Sequence, residues 1–500
     1  MTASPAFFRD TSLWPMFVAA GVLKVVLVVW FGPILFPDSS GYSYIAERML
    51  AGGGWLTERG DAVDPNMVFR TIGYPLIIAP VMAVFGAAWA HVLAILQGLV
   101  SLAVLIPVLR VTEAATHKAW PGRLVLVLYT LSGSLLYDQA ILTDSLNASI
   151  FILVVFSIIG WGCGLWRLGP LRMLGLGLAY GLGIWMREPG LYLAVIPLGL
   201  IAVGALRRQA VSGENAIRLA VLRAGVFATV IAVLCGSYMA WNQYRMDEAF
   251  IGGTGHINWL QAPVYGYVRG YGDPFTGNHA IDRAVRETTT NRFAGMEQLH
   301  AVFAVLDTLR KRDGLDDREL NRMAKQKWLE TLVQHPVLML RNTLRNLAPE
   351  KMAFLIANPL FNANEYFQLG PGQGERLVGG SSQQMRELRA DFSIAGAFVL
   401  VLDMGLRAVS LALFVLFVIG PPIWFVRNIR AGRPRFEAPL IAIQCWAGYI
   451  VFAFAYALVY AELRYFTPIL PLAQVSLAAT LAALTGTVRS RHTGTAARSS

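Results

Sequence analysis

Apolar and polar positions alternate along this chain on the scale of whole bilayers rather than of single helix faces. Apolar runs of about 20 residues, the length a helix needs to cross the hydrocarbon core, recur between short polar stretches. In order they predict about ten spans: 14–36, 89–109, 124–137, 146–165, a fifth closing at Met186, a sixth running to Arg207, then 224–244, an eighth closing near Val426, a ninth reaching Tyr460 and a tenth beyond Pro468. The first run is too long for the apolar part of a signal peptide and lacks a small-residue cleavage site, so it reads as a retained span. The fold class predicted is an all-α polytopic membrane protein.

Basic residues fall at alternate ends of these runs: Arg9, then Arg110, Lys118 and Arg123, then Arg167 and Arg172, then Arg207, Arg208, Arg218 and Arg223, then Arg427, Arg430, Arg433 and Arg435, and finally Arg489, Arg491 and Arg498. The positive-inside rule then puts both termini in the cytoplasm. The membrane expected is a bacterial inner (plasma) membrane, with the other ends facing the periplasm or exterior. Lys24, inside the first run, either snorkels or pairs within the bundle.

Three regions follow. Residues 1–244 carry spans one to seven and a first outer loop, 37–87, in which the short apolar piece after Tyr74 reads as an interfacial helix. Residues 245–392 are too long for a structureless loop; they read as a mostly helical extracytoplasmic segment, with an amphipathic helix at 328–340. Residues 393–500 carry spans eight to ten, and Phe392 to Asp403 is placed along the interface ahead of span eight.

Composition narrows the function classes. The chain is 55% hydrophobic and 15% charged, and its net charge of +11 would suit nucleic acid if it were clustered. It lies instead in the inner loops, with no basic-aromatic platform beside it, so nucleic acid is not an expected partner while membrane lipids are. Cys163, Cys235 and Cys445 lie far apart in or beside apolar runs and read as packing residues. Serine-hydrolase, P-loop and dinucleotide motifs are missing. Gly175-x-Gly177 and Gly181-x-Gly183 fall within a span, where glycines serve close helix packing.

The chemistry gathers at the opposite ends. After the first run comes Phe36-Pro37-Asp38-Ser39-Ser40-Gly41-Tyr42, with Ser39 or Ser40 as N-cap of a helix that stops at the glycines after Ala51. Asp38 is then either a helix-terminal carboxylate or a base aimed at the membrane face. Asp144, Arg70, Arg187, Glu462 and Arg464 border the same leaflet, so the charged set comes from five segments. Carboxylates with several guanidiniums suit transfer from a phosphate-linked donor: one acid takes the proton of the attacking hydroxyl, and arginines hold the leaving phosphate.

These stretches resemble the GT-C glycosyltransferases, in particular the protein O-mannosyltransferase and lipid A aminoarabinose transferase family. Similar to its patterns are Asp38-x-x-x-Tyr42 with Ala46, Arg70 before Gly73-Tyr74 and Phe85-Gly86, Leu142-Thr143-Asp144, Arg187-Glu188-Pro189, Trp241-Asn242 through Thr254-Gly255, the helix carrying His335-Pro336, and Glu462-Leu463-Arg464-Tyr465 with Pro468. That family often has Asp-Glu at the first site; here Ser39 follows Asp38. The resemblance implies a GT-C-type bundle and inverting transfer of a sugar from a polyprenyl-phosphate donor to a glycan, lipid or protein acceptor on the outer side. It implies Asp38 as general base or acceptor-orienting acid, and Asp144 as a second acid or as a partner of Asp38 around a divalent metal ion, whose use is left open. It implies Arg70 beside the lipid phosphate, with Arg187 and Arg464 as further phosphate ligands, and Tyr42 and Tyr74 supporting the pocket wall along with Glu462. His256 either meets the sugar or is structural. The other reading is a transporter or flippase of a lipid-linked glycan, which the lack of an internal repeat and the clustering of acids at one face disfavour.

Overall fold

A computed structural model describes residues 13–52, 55–64, 67, 70–213, 215–289, 298–348, 352, 394–430, 437–459 and 462–496. Expectations for Arg9, Arg433, Arg435, Tyr460 and Arg498, and for most of 349–393, lie outside them.

The chain is helical throughout its spans. α1 (Leu13–Phe31), α2 (Pro37–Leu50), α3 (Pro75–Phe85), α4 (Trp89–Ala103), α5 (Leu105–Thr116) and α6 (Trp120–Thr130) come first. α7 (Thr143–Gly162), α8 (Pro170–Met186), α9 (Val195–Ser212) and α10 (Ala216–Met246) follow. A layer of shorter helices comes next: α11 (Gly255–Val268), α12 (Ala280–Thr289), α13 (Gln298–Asp313), α14 (Asp317–Gln334) and α15 (Pro336–Asn346). The last spans are α16 (Ile394–Arg430), α17 (Glu437–Val459) and α18 (Leu470–Ala496), the last entered through a 3₁₀ turn, Leu463–Ile469.

Among the described residues, eight helical stretches are long and apolar enough to cross a membrane, so the chain is an all-α polytopic membrane protein. All ten expected spans fall on helices; those on α6 and α8, at 11 and 17 residues, are short by this measure. Burial orders the bundle. The stretch through α18 is 83% buried and that through α7 72%, whereas α10 and α16 are only 17% buried. α7 and α18 are therefore the inner posts, and α10 and α16 turn most of their apolar side chains outward to lipid.

Glycines set several of these contacts. Gly177 and Gly181 on α8 admit Val230 and Leu234 of α10, and Gly183 lies against Ile150 of α7, while Gly175 faces open space. Gly162 and Gly204 bring α7 and α9 together, with Trp161 across Gly204. Missing side chains let backbones approach, which is how apolar helices gain dispersion contact where no hydrophobic effect drives them together.

Three expectations need correction. α2 begins at Pro37, which fits the first turn because it needs no amide donor there. Ser39 and Ser40 therefore lie inside the helix rather than at its N-cap, which is Phe36. The helix expected over 328–340 breaks at His335, because Pro336 cannot continue the ladder and opens α15 instead. Phe392 to Asp403 is not a separate interfacial piece from Ile394 onward: α16 runs unbroken for 37 residues into the span.

Candidate active site

Two backbone seams bring the charged residues to one end of the bundle. After α1 the chain makes a single parallel bridge to the loop before α7: the Ile34 amide donates to the Gln139 carbonyl at 3.0 Å, and the Ile141 amide to the Ile34 carbonyl at 2.9 Å. Ser39 Oγ accepts from the Phe36 amide at 2.9 Å and donates to the Ile141 carbonyl at 2.8 Å. The start of α2, with Asp38, is thus fastened to the approach to α7, with Asp144. In the second seam, the Gly73 amide donates to the Trp185 carbonyl at 2.9 Å and Thr71 Oγ1 to the Met186 carbonyl at 2.8 Å. This lays the segment carrying Arg70 along the end of α8, one residue before Arg187. A Cβ at position 73 would lie 2.5 Å from the Trp185 carbonyl carbon, so only glycine fits without moving a backbone.

Asp38 is gripped from both sides. Its Oδ1 accepts from Arg70 Nη2 at 2.6 Å and its Oδ2 from Arg464 Nη2 at 2.9 Å. Arg464 also pairs with Glu462 at 2.5 Å. Arg187 donates to Asp144 Oδ1, and its guanidinium lies 3.8 Å from the centre of the Tyr465 ring. Arg70 lies over Tyr42 at 5.6 Å, and Tyr42 meets Tyr74 edge-on at 5.3 Å. Tyr74 donates its hydroxyl proton to Gln97 Oε1 at 2.7 Å. Aromatic faces thus hold the guanidinium planes, which favours forked binding of an oxyanion.

Burial grades across the site. The Asp38 side chain is 26% exposed, Arg70 24% and Glu462 31%, against 3% for Asp144. Asp38 is thus the more exposed of the two acids, and Asp144, paired with Arg187, the more deeply buried. Burial raises the Asp38 carboxyl, but Arg70 and Arg464, with help from Arg187, more than cancel it and hold the group below the usual carboxylate range. An acid so held is a weak base for as long as both arginines stay on it.

Of the residues expected from the sequence, the structure brings together Asp38, Asp144, Arg70, Arg187, Arg464, Glu462, Tyr42 and Tyr74. His256 stands apart. It is fully buried in α11, with Nε2 3.2 Å from Arg310 of α13. Burial lowers it, with Asp317 and Arg310 acting in opposite senses. A divalent ion shared by Asp38 and Asp144 does not suit these donors. Each acid already faces a guanidinium, and among the described residues no three His, Cys, Asp or Glu side chains converge.

Two residues of the site carried no expected role. Tyr465 supplies the ring under Arg187, and its only sequence signal is its place beside Arg464. Glu188 follows Arg187 and lies against Gly252, where a Cβ would meet its Oε2 at 1.3 Å. Burial pushes its carboxyl up, while Arg187, Arg70 and a hydrogen bond with Asn258 of α11 pull it partly back. Glu188 is thus the acid that joins the membrane site to the helical layer.

An apolar groove of about 480 Å³ lies apart from these charges, between α1 and α4–α5, lined by residues such as Val18, Val22, Val25 and Leu102.

No family model matches the chain, and no curated protein does. Among solved structures, ArnT from Cupriavidus metallidurans bound to undecaprenyl phosphate is 13% identical over 94% of this chain and 78% of that one, with a TM-score of 0.33. The same protein in its apo state is 12% identical over 93% and 77%, with a TM-score of 0.31.

Proposed function

We propose that this chain is a GT-C-type membrane glycosyltransferase that moves a sugar from a polyprenyl-phosphate donor to an acceptor on the extracytoplasmic face. The observation that carries the reading is the Asp38 carboxylate bridging Arg70 and Arg464, together with the more deeply buried Arg187–Asp144 pair. All five of these residues stand in motifs that resemble the GT-C family.

The chemistry follows from charge. A guanidinium has five N–H donors in a fixed fork, and Asp38 takes one bond each from Arg70 and Arg464. A donor phosphate reaching Asp38 competes for both arginines. As they turn to it, Asp38 loses the charges that depress its proton affinity and becomes a competent base. The acceptor oxygen then attacks the anomeric carbon from the face opposite the phosphate and gives its proton to Asp38. The anomeric carbon–phosphate oxygen bond breaks, and its electron pair leaves with the polyprenyl phosphate, which the arginines retain. The configuration inverts. Asp144, sealed against Arg187, keeps that guanidinium aimed at the site, and donor binding switches on the base.

The experiment is transfer of radiolabelled sugar from polyprenyl-phosphate sugars to envelope acceptors in proteoliposomes. Asp38→Asn is expected to reduce transfer by roughly 10²–10⁴-fold, the usual contribution of a positioned base, with monodisperse protein. Wild-type turnover in this variant removes Asp38 from the mechanism. Movement of labelled lipid between leaflets without transfer establishes the transporter reading instead.

A further inference from the structure

The layer formed by α11–α15 presents one face that its own core does not use. On α14, Arg322 and Lys325 are exposed, then Leu329 (47%) and Val333 (77%). Beyond the break at His335 the same kind of face continues on α15 with Val337 (60%), Leu340 (49%) and Leu344 (56%). Steps of three and four residues keep each set on one side of its helix. The opposite side is spent on packing: Leu320, Ala324, Trp328, Leu338 and Met339 are buried. The exposed face is therefore basic at Arg322 and Lys325 and carries an apolar stripe from Leu329 to Leu344, beside which Arg341 and Arg345 are also exposed on α15.

Its position says what covers it. α15 is fixed to the outer end of the α17 span, where Asn346 Nδ2 donates to the Ala457 carbonyl at 3.0 Å and Leu338 and Met339 share a cluster with Leu458 and Val459. A span's last turn is where hydrocarbon gives way to headgroups. The α15 end of the face thus lies at the level of that last turn, while its basic end lies in the first half of α14.

We propose that this α14–α15 face rests on the membrane leaflet at the outer end of α17, with Val333, Val337 and Leu340 in the acyl boundary and Arg322 and Lys325 on anionic phospholipid headgroups. Exposed valines and leucines lose their contact with water there, and each lysine or arginine gains from the negative surface. The face then anchors the layer that carries Asn258 over the site. The assignment requires only that α17 spans a membrane and is independent of the transfer reading.

The test uses the full chain, freed of its native cysteines, in nanodiscs of phosphatidylglycerol with phosphatidylcholine. Spin labels at Val333, Val337 and Leu340 are expected to be reached by oxygen more than by a water-soluble nickel chelate. A label at Lys311, which is 76% exposed on α13, is expected to show the reverse and marks the layer as folded. Native mass spectrometry of Arg322→Glu and Lys325→Glu is expected to show phosphatidylglycerol retained roughly fivefold more weakly for each basic residue lost. Labels at all three stripe positions that behave like Lys311 overturn the proposal. So do labels shielded from both reagents with spin–spin broadening between chains, which would make a second copy the occupant. Unchanged phosphatidylglycerol retention in both charge variants overturns the headgroup assignment.

Discussion

Asp138 and Asp38 both meet cations, and they do so in opposite ways. Asp138 lies just before α7, its side chain 1% exposed. Its Oδ2 accepts from Lys24 of α1 and from Ser101 Oγ at 2.6 Å, and its Oδ1 from Ser145 Oγ at 2.6 Å. Every partner is itself buried, and Ser101 is further bonded to the Tyr129 hydroxyl at 2.9 Å. Asp38 is 26% exposed and held by two long guanidinium arms. The first arrangement is complete and sealed, so nothing entering from water can improve on it. The second is complete only until a better anion arrives. A buried, satisfied pair specifies structure, while a pair of the same charge at an open rim can exchange partners.

The two are also joined. Gln97 Nε2 donates to the carbonyls of Asp138 and Ala140 at 3.2 and 2.9 Å, and Tyr74 donates to Gln97 and packs on Tyr42. The sealed pair therefore sets the loop that carries Ile141 to Ser39 and leads into Asp144.

The sharpest way to break this contrast is to neutralise each acid in turn. Asp138→Asn leaves Lys24 charged and without its ion-pair partner in the membrane interior, and is expected to cost about 3–5 kcal/mol in SDS-titration unfolding. Asp38→Asn is expected to move the same midpoint by less than about 1 kcal/mol while reducing transfer by roughly 10²–10⁴-fold. If both shift stability equally, the distinction fails. Replacing the whole sealed pair, Lys24→Met with Asp138→Leu, is expected to recover a large part of the loss, because no buried charge is then left alone.

A smaller effect is expected at the open rim. Arg464→Lys keeps the charge but loses the fork, and is expected to raise the donor KM by about tenfold, or roughly 1.4 kcal/mol, with the unfolding midpoint unchanged.

The smallest effect sits at Glu188. The folded protein holds its proton more tightly than the unfolded chain does, so this group's stabilising contribution is present at acid pH and is lost as pH rises above 4.5 through the raised native value. Glu188→Gln removes that loss, so its stability relative to wild type is expected to improve as pH is raised from acid to neutral. Asp38 has the opposite sign. Its lowered carboxyl contributes stability above the ordinary value of 3.8 that is lost on acidification through the native one.

Much of the architecture was legible because the bilayer imposes it. Twenty apolar residues between arginine-bearing loops leave little choice of element or of order. The acids and arginines at the span ends were legible for the same reason, since a charge there is costly without a role. Other features were hidden because several physical solutions share one sequence signal. Ser39 has the chemistry of an N-cap, and only the approach of Ile141 reveals that its hydroxyl ties two segments together. Lys24 was compatible with snorkelling until Asp138 came to it from 114 positions away. Glu188 looks like a solvated turn residue in any local reading; its burial depends on Gly252 and Asn258, which belong to another layer. His256, in a glycine-rich stretch, had the chemistry of a sugar ligand, but its ring nitrogen Nε2 lies beside Arg310 of α13.

The absent side chain at Gly73 has a further consequence. With the amide of one segment pressed onto the carbonyl of the other, the roots of Arg70 and Arg187 are set like the jaws of a caliper whose screw was tightened once, during folding. Headgroups of different girth would then be told apart by how far the long arms can swing from fixed shoulders. A methyl group at that seam would reset the gauge without touching a single charged atom.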